Sequence, residues 1–185
     1  TKPLEIHGDG HVHVQGDDEG SVIRVDAPDV VVSGLRLTGS GSDHQTIDSG
    51  VQLTRKATNA IVRDNRIEGN LYGVDIHGAR NAVVEGNTII GRRDRLMNRR
   101  GNGVYVWNAP GAQVHGNKVL YGRDGIFVNS SKKNSFRNNR FEDLRFAVHY
   151  MYADESEVSG NVSIGNHLGY AIMFTSRIKI TNNTS

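Results

Sequence analysis

The chain has 185 residues, with 22 Lys and Arg against 20 Asp and Glu, so its net charge of +2 gives no support for nucleic-acid binding. It contains no cysteine, which excludes disulfide bonds and thiolate metal sites and suits an oxidising compartment. No run approaches the roughly 18 apolar residues of a transmembrane helix, and no signal peptide is visible. A chain of this length can bury a substantial core, and we expect one domain over residues 1–185.

The N-terminal part of the chain is irregular. The stretch "HGDGHVHV" at residues 7–14 places His11 and His13 on one strand face, where they could hold a metal ion, although a polar strand face is the commoner explanation. A weak repeat follows at residues 20–39, and "SGSDHQTIDS" at residues 40–49 interrupts it.

The rest of the chain repeats. Six segments align on an asparagine that recurs after 22, 30, 22, 22 and 22 residues, and the residue three places earlier is apolar each time. The single step of 30 residues indicates an insertion around "RRDRLMNRR" at residues 92–100. The recurring asparagines are Asn65, Asn87, Asn117, Asn139, Asn161 and Asn183.

A 22-residue period is too short for two packed helices, and the short β-branched runs bounded by Gly and Asn are typical of strands. The sequence therefore predicts an all-β fold, a right-handed parallel β-helix of about seven or eight coils. The asparagines are expected to form a ladder in which each amide bonds the equivalent residue of the next coil. Because the last repeat has no polar cap, we expect this domain to be part of a longer protein.

The first strand of each coil can be aligned by its apolar residues, which predicts which side chains point outward. Val148 is aligned with Ile172, and Tyr150 with Phe174. Two outward rows then result. The first contains Gln52, Asp75, Tyr105, Phe127, His149 and Met173, and the second contains Thr54, His77, Trp107, Asn129, Met151 and Thr175.

Imidazole and thioether groups suit soft or borderline metal ions, above all copper when cysteine is absent. His149 and Met151 lie about 6–7 Å apart on one strand face, and the alignment places Met173 about 4.8 Å from His149 on the next coil. His167, in the turn before Met173, and Met97, in the second insertion, are further candidate ligands. Taken singly, each of these residues has an ordinary packing or surface explanation.

Tyr105, Trp107 and Phe127 make the same outer face unusually aromatic, and a contiguous apolar patch usually marks a contact site. Asp75 and His77 lie at one end of this patch. Three explanations fit: the 92–100 insertion covers the patch, a partner protein docks on it, or it binds sugar.

Polysaccharide cleavage is the enzymatic alternative. A hydrolase needs two carboxyl groups flanking the bond to be cleaved. The candidate acids are Asp75, Asp48 and Asp124. Asp124 directly precedes a glycine and Asp48 precedes one by two residues, where Asp is ordinary in turns. No adjacent acid pair is found, which favours a protein that is not an enzyme.

Four long segments are more distinctive than the repeat itself. They are "GSGSDHQTIDSGV" (39–51), "GNGVYVWNAPGAQVHGN" (101–117), "YGRDGIFVNSSKKNSFRNNRF" (121–141) and "DLRFAVHYMYADESEVSGNVSIGNHLGYAIM" (143–173). These segments resemble the NosD family of accessory proteins for the maturation of nitrous oxide reductase. The resemblance covers nearly the whole chain, and its central and C-terminal segments are more specific than a generic β-helix repeat.

The resemblance implies a periplasmic location and a role in delivering copper, with or without sulfur, to the copper centres of nitrous oxide reductase, or in docking. The implied partners are an ABC-type ATPase with its membrane subunit, a copper-carrying lipoprotein, and the reductase itself. No catalytic motif carries over. The expected copper contact, favouring Cu(I), is therefore His149, Met151 and Met173, and the expected docking surface is Tyr105, Trp107 and Phe127 with Asp75 and His77. A scaffold that never touches copper remains the alternative within this family, and a carbohydrate-binding protein the alternative outside it.

Overall fold

The computed structural model describes residues 4–185, which form a parallel β-solenoid of 20 strands with one 3-10 helix, Met97–Arg99. The strands are β1 (Leu4–Gln15), β2 (Ile23–Val25), β3 (Val30–Thr38), β4 (Ser49–Leu53), β5 (Ile61–Arg63), β6 (Arg66–Glu68), β7 (Tyr72–His77), β8 (Val83–Glu85), β9 (Thr88–Ile90), β10 (Val104–Trp107), β11 (Gln113–His115), β12 (Lys118–Leu120), β13 (Asp124–Asn129), β14 (Ser135–Arg137), β15 (Arg140–Glu142), β16 (Phe146–Met151), β17 (Glu157–Ser159), β18 (Val162–Ile164), β19 (Leu168–Met173) and β20 (Lys179–Thr181).

The strands stack in parallel columns, one strand per coil. One face is a seven-stranded sheet in the order β19-β16-β13-β10-β7-β4-β2. The other two faces join into a 13-stranded sheet, because β3 pairs with β1 on one side and with both β5 and β6 on the other. The column through β1, β3, β5, β8, β11, β14, β17 and β20 counts eight strands. The expected parallel β-helix of seven or eight coils is confirmed.

The core lies between the faces, and small residues on one side match large ones on the other. A Cβ atom on Gly125 would overlap the Phe141 ring and the carbonyl oxygen of Ala147. One coil later Ala147 itself is tolerated, because Ser163 follows Phe141 in the facing column. Glycine is therefore required where the facing side chain is large.

A ladder of buried asparagines joins the coils along the solenoid. The Oδ1 atom of Asn117 accepts hydrogen bonds from the backbone N–H and the Nδ2 of Asn87, both at 3.0 Å. Its Nδ2 donates to the Val84 carbonyl at 2.9 Å and to Asn139 Oδ1 at 3.0 Å. The amide-to-amide pattern repeats along Asn65, Asn87, Asn117, Asn139, Asn161 and Asn183.

Both insertions lie where the spacing placed them, and they contact each other. The Arg92 guanidinium donates to the Ser40 and Gly41 carbonyls at 3.1 and 2.9 Å. The Arg93 guanidinium lies over the Tyr121 ring, 3.5 Å from its centroid. These contacts direct the 92–100 insertion to the 40–49 insertion and to the end of β12, which argues against its being a cover for the aromatic patch.

The alignment of the last coil was wrong. Val148 pairs with Tyr170 and Tyr150 with Ile172, so the 22-residue step is kept. Phe174 follows the strand in a left-handed conformation (φ 51°) and is 67% exposed. Alignment by apolar residues failed because a tyrosine occupies the inward position: its hydroxyl donates to the Asn161 carbonyl at 3.1 Å.

We expect Asn117→Ala to lower the free energy of unfolding by roughly 2–4 kcal/mol, because it leaves the buried backbone N–H of Asn87 without an acceptor. Urea denaturation measures the change. The matched control is Asn129→Ala, since the half-buried Asn129 amide accepts only from the neighbouring Ser130 hydroxyl. Equal losses in the two variants would contradict a structural role specific to the ladder.

Candidate metal centre

The seven-stranded sheet presents two outer columns of side chains, one residue per coil. The first outer column, at the middle of each strand, is Arg24, Gln52, Asp75, Tyr105, Phe127, His149 and Ala171. The second outer column, two residues further along, contains His77, Trp107, Asn129, Met151 and Met173.

Aromatic rings stack along both columns. Tyr105 and Phe127 are nearly parallel, with centroids 5.4 Å apart, and Phe127 continues to the His149 ring at 4.8 Å. In the second column the His77 ring lies 4.3 Å from Trp107. Tyr105, Trp107 and Phe127 are half-buried, so each ring keeps part of its surface in solvent.

His149 is not the exposed residue that the outward row suggested. It is only 7% exposed, because the Phe127 and Phe146 rings enclose its imidazole. Its Nδ1 lies 3.2 Å from the Oδ2 atom of the fully buried Asp124. Arg145 donates to both oxygens of the same carboxylate, at 2.8 and 2.6 Å.

The charge of Asp124 fixes the tautomer of His149. Burial raises the pKa of Asp124, but hydrogen bonds from His149 and Arg145 and the charges of Arg145 and Arg123 outweigh burial, so the pKa lies below its usual value. Nδ1 lies 3.2 Å from the Asp124 carboxylate, which only accepts, and 3.4 Å from the Arg145 guanidinium, which only donates. The shorter contact, to the anion, favours the proton on Nδ1. In the neutral imidazole the lone pair is then on Nε2, which is buried and has no hydrogen-bond partner among residues 4–185. A carboxylate on the far nitrogen is the usual arrangement behind a metal-binding histidine.

The two methionines lie together, one residue row beyond His149. Met151 pairs in register with Met173, and the neighbour of His149 on β19 is Ala171. The expectation that Met173 stacks directly beside His149 was therefore wrong, for the same reason as the misaligned last coil. The backbones of Met151 and Met173 are about 4.8 Å apart, the usual spacing of neighbouring strands. Met173 is 42% exposed.

The other two candidate ligands lie outside this cluster. His167 is exposed in the turn before β19. Met97 is half-buried in the 3-10 helix before β10, two coils away from β16. Among residues 4–185, no group of three or more His, Cys, Asp or Glu side chains is arranged to hold a metal ion.

His149, Met151 and Met173 thus lie on two adjacent strands and carry one imidazole and two thioether groups. Side chains of these types suit a soft ion such as Cu(I) rather than a hard one. Met173 is the most exposed of the three, at 42%.

Asp75 lies in the first outer column three coils from His149, in a different environment. It is fully buried, and its Oδ1 has no hydrogen-bond partner among the described residues. Burial raises its pKa to about 7, although a hydrogen bond from Gln52 Nε2 at 3.2 Å acts in the opposite direction. Burial and, to a lesser extent, the charge of Asp75 raise the pKa of the neighbouring Tyr105 to about 12. His77 Nδ1 lies 3.7 Å from Asp75, and burial and the Arg55 charge lower the pKa of His77.

Sequence reasoning missed Asp124 and Arg145, the residues that hold His149. Asp124 was assigned to turn chemistry because a glycine follows it, whereas it stands in a strand one coil before Phe146. The sequence did contain one indication: Arg145 and His149 lie four residues apart, a spacing that places two side chains of a strand on the same face. Asp48 does have a turn role, because it accepts from the Asp43 backbone at 2.9 Å and the Thr46 hydroxyl at 2.7 Å.

The protein is a parallel β-solenoid, and its outer surface carries one histidine and two methionines beside stacked aromatic rings. The model of one family, described as periplasmic copper-binding protein (NosD), matches residues 85–185, more than half of the chain. The chain belongs to the NosD family.

Two curated relatives support this assignment, and both are described as a probable ABC transporter binding protein NosD. The protein of Stutzerimonas stutzeri is 35% identical over 124 residues, and that of Pseudomonas aeruginosa is 32% identical over 124 residues. Each alignment covers 67% of this chain but only 28% and 29% of the relatives. The chain therefore spans less than a third of their length.

Similar solved structures show the fold alone. An alginate lyase from Paenibacillus has a TM-score of 0.69 at 14% identity, over 87% of this chain and 63% of that chain. The periplasmic alginate epimerase AlgG has a TM-score of 0.69 at 15% identity, over 92% of this chain and 44% of that chain. No helix among residues 4–185 is long and apolar enough to cross a membrane.

We expect stability to fall as pH rises from about 4 to about 7. The pKa of Asp75 in the folded protein is about 7, above its unfolded value, so the folded state binds the extra proton and ionisation destabilises it. Asp75→Asn should remove this dependence and raise the free energy of unfolding at pH 8 by roughly 2–4 kcal/mol. Urea denaturation at pH 5 and pH 8 measures both effects. Asp64→Asn, at an exposed site, is the control, and unchanged pH dependence in Asp75→Asn would contradict the assignment.

Proposed function

We propose that this chain is the copper-contacting and docking part of a periplasmic accessory protein that assembles the copper centres of nitrous oxide reductase. It acts in copper delivery, with or without sulfur, or in docking, together with an ABC-type ATPase and its membrane subunit. The copper donor is a copper-carrying lipoprotein and the recipient is the reductase. Family membership supports the copper and periplasmic parts, and the relatives' names support the transporter.

The observation that carries the copper proposal is the buried Nε2 atom of His149. Its lone pair is set by the Asp124 carboxylate, and it lacks any partner among residues 4–185. An unpaired buried nitrogen costs free energy that a bound metal ion would recover. Cu(I) accepts imidazole and thioether ligands. Met151 follows His149 by two residues on β16, and Met173 pairs with Met151 from the neighbouring strand β19.

The incomplete donor set fits transfer rather than storage. With only His149 and two methionines, the ion keeps an open coordination position on the exposed side of Met173. A donor or acceptor protein can insert its own ligand there and remove the ion without first unfolding the site. His167 and Met97 lie outside the cluster and have no part in this step.

Docking is assigned to the aromatic surface next to the copper contact. Tyr105, Trp107 and Phe127 are half-buried and stacked, so a partner meets a rigid apolar surface that costs little side-chain entropy to order. Asp75 and His77 close its far end. A partner lying along this surface would reach Met151 and Met173 at the other end.

The site does not favour hydrolysis. Asp124 is held by Arg145 and His149, and Asp48 holds a turn, so neither carboxylate is free to act as an acid or base. Asp75 stands alone, without a second carboxylate opposite it. We therefore assign an assembly role and no catalytic residue.

We expect the parent chain to bind Cu(I) with roughly 1:1 stoichiometry in competition with a chromogenic chelator, and His149→Ala/Met151→Ala/Met173→Ala to lose this binding. The reason is that the triple variant removes all three soft donors. Removing a buried histidine can destabilise the fold, so circular dichroism must confirm that the variant is folded.

A conservative variant separates ligation from packing. Met151→Leu/Met173→Leu keeps the apolar volume and removes only the sulfur atoms, so we expect weaker Cu(I) binding at unchanged stability. Met97→Leu is the matched control and should bind as the parent does. If the double leucine variant bound Cu(I) with the affinity of the parent, both methionines would serve only in packing.

Asp124→Asn tests the positioning role of Asp124. A neutral amide no longer forces the proton onto Nδ1 of His149, so we expect Cu(I) affinity to fall roughly 10–100-fold. A fall in stability with Cu(I) affinity unchanged would make Asp124 merely structural. The control is Asp64→Asn, at an exposed site.

A further inference from the structure

A groove of about 1300 Å³ lies on the outer face, at the end opposite to His149. Its floor is formed by outward side chains of β2, β4, β7 and β10, among them Gln52, His77 and Trp107. One wall is the 40–49 insertion, and another is the turn around Asp18 and Glu19 before β2. The copper cluster lies outside this groove, whose His77 and Trp107 end overlaps the surface assigned above to docking.

We propose that this groove binds an uncharged oligosaccharide. The stacked His77 and Trp107 rings provide aromatic surface at one end, and the C–H face of a sugar ring packs well against such surface. The volume exceeds that of a typical small-molecule pocket, so the groove accommodates a chain of several sugar rings rather than one.

The charges in the lining disfavour a charged ligand of either sign. Four carboxylates, of Asp18, Glu19, Asp43 and Asp48, disfavour an anionic oligosaccharide. The guanidinium groups of Arg24 and Arg55 stand against a cationic one. A hydroxyl group, which both donates and accepts hydrogen bonds, can pair with either kind of side chain.

Planar and hydroxyl-bearing groups stand where such a ligand would need them. The Gln52 Nε2 donates to Asp75 and to the Thr46 carbonyl, both at 3.2 Å, so this amide is held in place. Gln52 is one of the residues that line the groove, and an amide of this type also carries a carbonyl oxygen that accepts hydrogen bonds. Thr54, also in the lining, adds a hydroxyl that is already oriented by Asp26 at 2.7 Å.

The insertion wall is preorganised. Asp48 accepts from the Asp43 backbone and the Thr46 hydroxyl, and Arg92 donates to the Gly41 carbonyl at 2.9 Å. A wall that is already ordered spares the ligand the entropy of ordering it. The groove is also distinct from the copper cluster: its nearest lining strand, β10 with Trp107, is two coils from β16, about 10 Å.

Trp107 is the only tryptophan of the chain, so its fluorescence reports on this groove directly. The experiment titrates the chain with four neutral hexasaccharides, of α-1,4-glucose, β-1,4-glucose, β-1,3-glucose and β-1,4-N-acetylglucosamine, and with a hexauronate and a hexaglucosamine as charged comparators. Isothermal titration calorimetry runs in parallel. We expect at least one neutral probe to bind more tightly than either charged one.

Two variants locate the binding. Gln52→Ala and Arg55→Ala should each weaken the neutral probe roughly tenfold, because each removes hydrogen bonds to hydroxyls. Met151→Leu, in the copper cluster, should leave sugar binding unchanged. Sugar should in turn leave Cu(I) affinity unchanged, so this proposal and the copper proposal can fail separately.

The proposal is overturned if no neutral probe gives a fluorescence change or heat at about 10 mM, a concentration at which a Kd of about 1 mM would already give near-saturation. It is overturned equally if only a charged probe binds, or if Gln52→Ala and Arg55→Ala bind the neutral probe as the parent does.

Discussion

The buried asparagine ladder is the interaction on which the rest of the structure depends. Each Asn side chain accepts a hydrogen bond from the backbone N–H of the equivalent residue in the preceding coil and donates one to a backbone carbonyl of that coil. Asn117 does so with the Asn87 N–H and the Val84 carbonyl. A slip of one residue would leave these buried groups unpaired and would turn inward side chains outward. The ladder therefore fixes both the turn of each coil and the register of the strands next to it.

Because the register is fixed, equivalent residues of successive coils lie above one another in columns. The outer face of the seven-stranded sheet consists of such columns. Tyr105, Phe127 and His149 stack because they occupy one position in successive coils, about 4.8 Å apart. The same rule brings Met151 and Met173 together. It also limits what the face can hold: a column supplies one side chain per coil, so a compact cage of several ligands around one ion cannot arise from it alone. A partly formed, partner-completed contact is the kind of metal site that this architecture permits.

Two buried aspartates of the seven-stranded sheet, Asp124 and Asp75, differ in charge state. Asp124 is buried but carries hydrogen bonds from Arg145 and His149, so it stays ionised and sets the imidazole tautomer. Asp75 is buried with a single amide donor, and its pKa rises to about 7. The same residue type thus serves as a fixed charge in one place and as a titrating group in the other, because the number of donors differs.

The sequence alone determined the solenoid, the asparagine ladder, both insertions and most of the outer face, because a 22-residue period repeats every contact and leaves a visible trace in each coil. It did not determine the environment of His149, since Asp124 and Arg145 come from two coils and break no periodic pattern. The last coil was misaligned because an inward tyrosine, Tyr170, satisfies its hydroxyl on backbone carbonyls and so stands where apolar residues were expected. Only the tertiary structure decided that His149 is buried with one free nitrogen, because burial depends on rings and charges that meet across coils.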